Sequence, residues 1–132
     1  MKYLLDTNIL IDFFRNEPKA VKLIAKIAQE GFVISVITLA EYLVGCYKST
    51  RPEKNIQNFE NFLNSNDISV IEIDSNIAYS YAQNMSTLEK KGQKISGFDM
   101  LIAASAISKK LILVSNDRAF TRIKELKTIT EI

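Results

Sequence analysis

The strongest constraint on how this chain folds is the character of its β-type segments, which are short and predominantly apolar rather than regularly alternating. They cover 2–5, 32–36, 70–73 and 111–114, with 128–130 as a possible fifth. A strand with one wet face alternates apolar and polar residues, whereas an uninterrupted apolar strand must be covered on both faces. Between these runs lie segments of helical period. Residues 9–14 form the first. The second opens at Pro18, carries the stripe Val21, Ile24, Ala25, Ala28 and ends at Gly31. The third spans 37–47. A fourth starts where Thr50 and Glu53 flank Pro52 in a capping-box pattern, with Ile56, Phe59 and Leu63 on its inner face. A fifth runs from Ser75 through Ala78, Tyr81, Ala82 and Met85 to Lys90-Lys91-Gly92, and a sixth from Ser96 to Lys110. Strands alternating with helices predict an α/β fold: a three-layer α/β/α sandwich around a central parallel sheet of four to five strands. With 132 residues and no linker or repeat, the expectation is a single domain over 1–132.

What the chain lacks narrows its chemistry. It has no histidine, so the commonest general base, the usual zinc ligand and every Ser-His or Cys-His arrangement are excluded. Its four glycines are isolated and build no phosphate loop. The lone Cys46 forms no disulfide framework and no Cys-rich zinc site. No apolar stretch approaches the roughly 18 residues of a membrane span, and Asp6 arrives before a secretory h-region forms, so a cytoplasmic protein is expected. The net charge of +2 argues neither for nor against a nucleic-acid partner. Any catalysis must therefore come from carboxylates, hydroxyls, amines or a hard metal ion.

Ligands of parallel sheets gather outside the carboxyl ends of the strands. Asp6 follows the first apolar run directly, and Ser115-Asn116-Asp117 follows the fourth. Two further acids stand on helical stripes: Asp99 with Ile102, Ala103 and Ala106, and Glu41 with Ile37, Ala40 and Val44. Capping explains each acid equally well when it is taken singly. Thr38–Glu41 and Ser96–Asp99 both fit a capping box, and Asp6 and Asp117 stand at strand-to-helix turns. A carboxylate on a buried stripe, however, needs a partner, and neither Glu41 nor Asp99 has a cation within one turn on its own stripe. A shared metal ion neutralises all four acids together. Oxygen-only ligands select Mg²⁺ or Mn²⁺, which can activate a water and clamp a phosphoryl oxygen without any histidine.

At this point the residues resemble a family. Asp6-Thr7-Asn8, Ser35 through Thr38 leading to Glu41, Phe98-Asp99 before Leu101-Ile102-Ala103-Ala104, and Val114-Ser115-Asn116-Asp117 before Phe120 are similar to the motifs of PIN-domain nucleases. Within that superfamily the small size and motif wording are similar to the VapC-type toxins of bacterial toxin–antitoxin pairs. The resemblance covers essentially the whole chain. It implies a Mg²⁺- or Mn²⁺-dependent endoribonuclease acting on RNA and inhibited by a small VapB-like antitoxin. Asp6, Glu41 and Asp99 match the core acidic positions, and Asp117 matches a more variable fourth. Ser115 stands where the family more often has Thr, which keeps the hydroxyl. Asn8 and Thr38 are placed to hydrogen-bond the ligating carboxylates, although turn and cap chemistry explains both as well.

Lys90, Lys91 and Lys94 precede the Asp99 helix and can meet RNA phosphates, or simply favour a helix end electrostatically. Arg118 and Arg122, beside the fourth acid, are better placed for phosphate. Tyr81 and Phe59 fall on apolar stripes and read as core rather than as base-stacking platforms. The apolar segments 9–14 and 59–63 offer a homodimer face. Two rival functions stay open. One is a silent partner-binding or DNA-associated module whose acids are only caps; the other is a carboxylate–metal phosphatase acting on small molecules. Asn8 in place of a second Asp after Asp6 counts against a haloacid-dehalogenase-like phosphatase.

Overall fold

A computed structural model describes residues 2–130. In chain order the elements are β1 (Tyr3–Leu5), α1 (Thr7–Phe14), α2 (Pro18–Ile27), β2 (Phe32–Ser35), α3 (Val36–Tyr47) and α4 (Pro52–Ser65). They continue with β3 (Val70–Ile71), α5 (Ser75–Lys90), α6 (Gly97–Lys109) and β4 (Ile112–Val114). A 3-10 turn (Arg118–Arg122) and β5 (Thr128–Ile129) complete the series. All strand pairs are parallel, in the order β3-β2-β1-β4-β5. No helix among the described residues is long and apolar enough to cross a membrane.

The consecutive apolar residues of each strand serve two cores at once, as a sheet covered on both faces requires. Tyr3, Leu5, Phe32, Ile34 and Val114 pack with α1, α2 and α4 through Leu10, Ile24, Ile27, Phe59 and Leu63. Leu4, Val33 and Leu113 turn the other way, onto Leu88 of α5, Met100, Ile102, Ala103 and Ala106 of α6, and Phe120 of the 3-10 turn. The result is the expected three-layer sandwich. Phe59 is the keystone of the first core. It is fully buried, with its ring 4.2 Å from Tyr42 and 6.0 Å edge-on from Phe14, centroid to centroid. Phe59→Ala is expected to lower stability by about 3–5 kcal/mol, through lost transfer energy and the cavity left behind. Urea unfolding checks this, and a change below about 1 kcal/mol would mean that the aromatic cluster is not packed as described.

The helix ends differ from their sequence signals in two places. Helix α4 has Arg51 at its N-cap with no side-chain cap, so the capping box expected of Thr50 and Glu53 does not form; Pro52 alone sets the start. Helix α3 begins at Val36 with Ser35 accepting from the Ile37 amide, which places Thr38 and Glu41 inside the helix and rules out a capping box between them. Two buried stripes also shift. Helix α2 buries Ala20, Leu23, Ile24 and Ile27, leaving Val21, Ala25 and Ala28 on its exposed side. In α5, Ile77 and Leu88 are buried, with Tyr81 and Met85 packed partly against the core and Ala78 and Ala82 outside. Both helices carry small or apolar residues on adjacent stripes, so period alone does not choose the inward one.

Strand order sets the site. From β1 the chain steps outward to β2 and β3, then returns to β4 on the other side of β1. The sheet's direction of winding therefore reverses between β1 and β4, the switch point at which parallel sheets open a crevice. In register, Leu5 lies level with Ile34 and Val114, so the next residues of all three strands emerge together at one edge.

Candidate active site

Asp6 emerges from β1 at that switch point and caps α1. Its backbone N–H donates to the Val114 carbonyl at 2.9 Å, fixing it against β4. The residue is almost wholly buried, 4% exposed, and both carboxylate oxygens are held. Oδ1 accepts from the Thr7 amide at 2.8 Å, and Oδ2 from the Ser115 hydroxyl at 2.7 Å. Ser115 in turn accepts from the Asp117 amide at 3.0 Å, tying the start of the next turn to the same carboxylate. Asp6 is thus both an N-cap and a buried acid, so the two readings of its sequence position coexist.

Glu41 comes from α3, on the β2 side of β1. Its Oε1 accepts a 2.6 Å hydrogen bond from the Thr7 hydroxyl, which also shares a 3.1 Å bond with the Thr38 hydroxyl. The apolar stripe expected around Glu41 is not an inward one. Ala40 and Val44 are exposed and Glu41 is half-buried, because α3 turns Leu39, Tyr42 and Leu43 to the core instead. Asp99 stands in the first turn of α6 and is half-buried, with Ile102, Ala103 and Ala106 fully buried beneath it. Its amide donates to Ser96 Oγ at 3.1 Å, which is the Ser96 half of a capping box. Asp117 is exposed and caps the 3-10 turn by accepting from the Ala119 amide at 2.9 Å.

These four acids influence one another. Burial holds the Asp6 carboxyl above the usual carboxylate range; the hydrogen bonds from Ser115 and Thr7 oppose the rise, and the charges of Asp99 and Glu41 add to it. Asp99 is likewise raised, first by burial and then by the charge of Asp117, with Ser96 opposing. Among the described residues the two ion pairs are Lys2–Glu30 and Lys109–Asp74, and neither involves the four acids. A cluster of like charges without a cationic side chain, offering oxygen donors only, fits a hard divalent cation. The fit is one of donor chemistry and charge. As they stand, no three acids among the described residues are gathered closely enough to enclose an ion.

Of the supporting residues named from sequence, Ser115 and Thr38 join this network. Asn8 is exposed and makes no hydrogen bond to the four acids. Thr7, passed over in favour of Asn8, occupies that role. Its partner Glu41 lies 34 residues along the chain, so nothing local to the turn distinguishes Thr7 from Asn8. Lys94 and Arg118 are exposed. Arg122 spends one guanidinium N–H on the Lys94 carbonyl at 2.6 Å, stitching the 3-10 turn to the segment before α6.

A PIN-domain match covers residues 3–126. The chain is 36% identical to the tRNA(fMet)-specific endonuclease VapC of Shigella flexneri, over 97% of this chain and 96% of that one. It is also 36% identical to ribonuclease VapC2 of Haemophilus influenzae over the same shares. Among solved structures it is similar to the DNA-bound VapBC of Salmonella typhimurium, with a TM-score of 0.88 and 32% identity over 98% of this chain and 97% of that one. The VapBC2 of Rickettsia felis bound to a DNA fragment from its promoter gives 0.87 and 30%, covering 98% of each chain.

Proposed function

The chain belongs to the PIN-domain family, and from that premise and the acidic switch point of its sheet we propose that it is a Mg²⁺- or Mn²⁺-dependent endoribonuclease. On this reading residues 1–132 form one nuclease domain, the toxin of a cytoplasmic toxin–antitoxin pair. RNA is its substrate and a small VapB-like antitoxin its inhibitor. A homodimer remains part of this reading, but the apolar segments on α1 and α4 do not offer it an open face, because Ile9, Leu10, Phe59 and Leu63 are spent on the core.

The observation that carries the proposal is Asp6: nearly inaccessible, hydrogen-bonded through both oxygens, neighboured by Glu41 and Asp99, and paired with no cation among the described residues. An acid kept only for capping needs no such company, since caps sit comfortably at the solvated rim. Asp6, Glu41 and Asp99 would hold the metal, with Asp117 at the exposed edge of the site. When bound, the cation polarises a phosphoryl oxygen and makes a water acidic enough to attack at neutral pH. The protein's own part is to orient and to move a proton. Thr7 and Ser115 keep Asp6 from rotating, and Ser96 fixes the start of α6 under Asp99. With no histidine present, a carboxylate of the site is the group available to take up the water's proton. Arg118 and Lys94, both exposed, supply charge for the flanking phosphates and position RNA without reading its bases.

Purified protein is expected to cut RNA in Mg²⁺ or Mn²⁺ and to stop in EDTA. Zn²⁺ should not serve as the working metal, because the site lacks nitrogen and sulfur donors. Induced expression should arrest bacterial growth, with relief by Asp6→Asn. Undiminished cleavage by metal-stripped protein would overturn the mechanism. Harmless expression of folded wild type would favour the silent-module or small-molecule readings.

A further inference from the structure

One residue touches two of the acids. Thr7, at the first position of α1, gives its backbone N–H to Asp6 Oδ1 at 2.8 Å and its hydroxyl proton to Glu41 Oε1 at 2.6 Å. These partners come from elements separated by β2 and the whole of α2, and nothing else described bonds to both carboxylates. A hydroxyl has a single proton to donate. At 2.6 Å this one is spent in a short, charge-assisted bond of the kind that fixes a carboxylate's rotamer. The Thr38 hydroxyl, fully buried and 3.1 Å away, holds Thr7 from behind. Thr7 itself is 7% exposed, so water does not compete easily for its hydroxyl. Glu41 Oε2 is left without a hydrogen bond among the described residues, and is therefore the oxygen available to a ligand.

We infer that Thr7 is a positioning residue: bonded to both Asp6 and Glu41, it holds the Glu41 carboxylate by Oε1 and so leaves Oε2 as the oxygen that would be free for a divalent cation. The inference rests on the metal-dependent reading above and adds to it which residue pre-aligns two of the acids. In energetic terms, a Glu41 already held against Thr7 loses little side-chain freedom when the cation arrives. A Glu41 released from Thr7 must give that freedom up at the moment of binding.

The test is Mn²⁺ affinity, measured by calorimetry on wild type, Thr7→Val, Thr7→Ser, Glu41→Gln and the Thr7→Val/Glu41→Gln pair. Val keeps the shape and branching of Thr and removes only the hydroxyl, so metal-free melting should change little. Mn²⁺ affinity should fall on the order of 10–100-fold in Thr7→Val, the usual cost of losing a group that orients a metal ligand. Thr7→Ser, which restores the hydroxyl, should recover most of it. On the Glu41→Gln background, Thr7→Val should cost little more, because two residues acting through one contact are not additive. Should Thr7→Val fail to fold, Thr7→Ala carries the same comparison. Wild-type affinity in Thr7→Val, or a full extra loss in the double variant, would overturn the inference while leaving the metal-dependent reading intact. If wild type binds no Mn²⁺ at all, both are overturned.

Discussion

Asp6→Asn is expected to reduce RNA cleavage by at least about 10²–10³-fold, the scale on which losing one group that stabilises transition-state charge is felt. The fold should be kept. Asn retains an oxygen for the Thr7 amide, and its amide nitrogen can donate to Ser115 once that hydroxyl turns. In the metal-free protein the change should be neutral or stabilising at neutral pH, because it removes a buried charge that faces Asp99 and Glu41. The pH dependence carries a definite sign. In the folded state the Asp6 carboxyl titrates above its ordinary value of 3.8, so the native state binds a proton where the unfolded chain has released it. Its contribution to stability is full below 3.8 and is lost as pH rises through the raised native value. Metal-free Asp6→Asn should therefore melt at or above wild type at neutral pH, with the gap closing as pH falls toward 4. Glu30 and Asp74, lowered by Tyr3 and Lys109 respectively, act in the opposite direction. They are common to both proteins and cancel in the difference. A gap that widens on acidification would mean that Asp6 is stabilised, not strained, by its surroundings. Near-normal cleavage by the variant would remove Asp6 from the chemistry altogether.

The second large effect separates a metal ligand from a helix cap at Asp99. As only a first-turn acid on α6, Asp99 would contribute a dipole interaction worth about 0.3–1 kcal/mol, and Asp99→Asn would weaken the fold slightly and spare catalysis. As a ligand, it contributes repulsion to the metal-free site and attraction to the loaded one. The measurement is thermal melting of wild type and Asp99→Asn, each with and without Mg²⁺. Wild type should gain melting temperature with Mg²⁺ by mass action, since only the folded protein assembles the site. The variant should lose most of that gain, fail to cleave RNA, and melt without metal at or above the wild-type temperature. A Mg²⁺-induced rise that survives undiminished would show that Asp99 is a cap alone. Asp117→Asn should give a smaller loss, since Asp117 is exposed and already engaged in capping the 3-10 turn.

The amino-acid sequence by itself determined the layer architecture. A strand such as Leu4-Leu5 or Val33-Ile34 has no polar face to show to water, so both sides must be covered, and only helices were available to cover them. It also narrowed the kind of chemistry, because a chain without histidine and with one buried cysteine leaves carboxylates, hydroxyls, amines or a hard metal ion to do it. The order of the four acids was legible for the same reason that strand ends were: each follows or precedes an apolar run whose end is unmistakable. What the sequence left undecided is the rotation of each helix about its own axis. Helices α2, α3 and α5 are apolar on more than one stripe, and the inward one is chosen by the neighbouring layers, which periodicity does not contain. That rotation settled that Glu41 sits at the margin of the core, while the starts of α3 after Ser35 and of α4 at Pro52 are why the expected boxes at Thr38–Glu41 and Thr50–Glu53 do not form. The choice of Thr7 over Asn8 belongs to tertiary structure for the same reason. Both are small and polar and both suit a turn. Yet only Thr7 faces α3, where Glu41, 34 residues along the chain, needs a hydrogen bond. Contacts of that sequence separation exist only once the sheet has brought β1 beside β2, so no local pattern announces them.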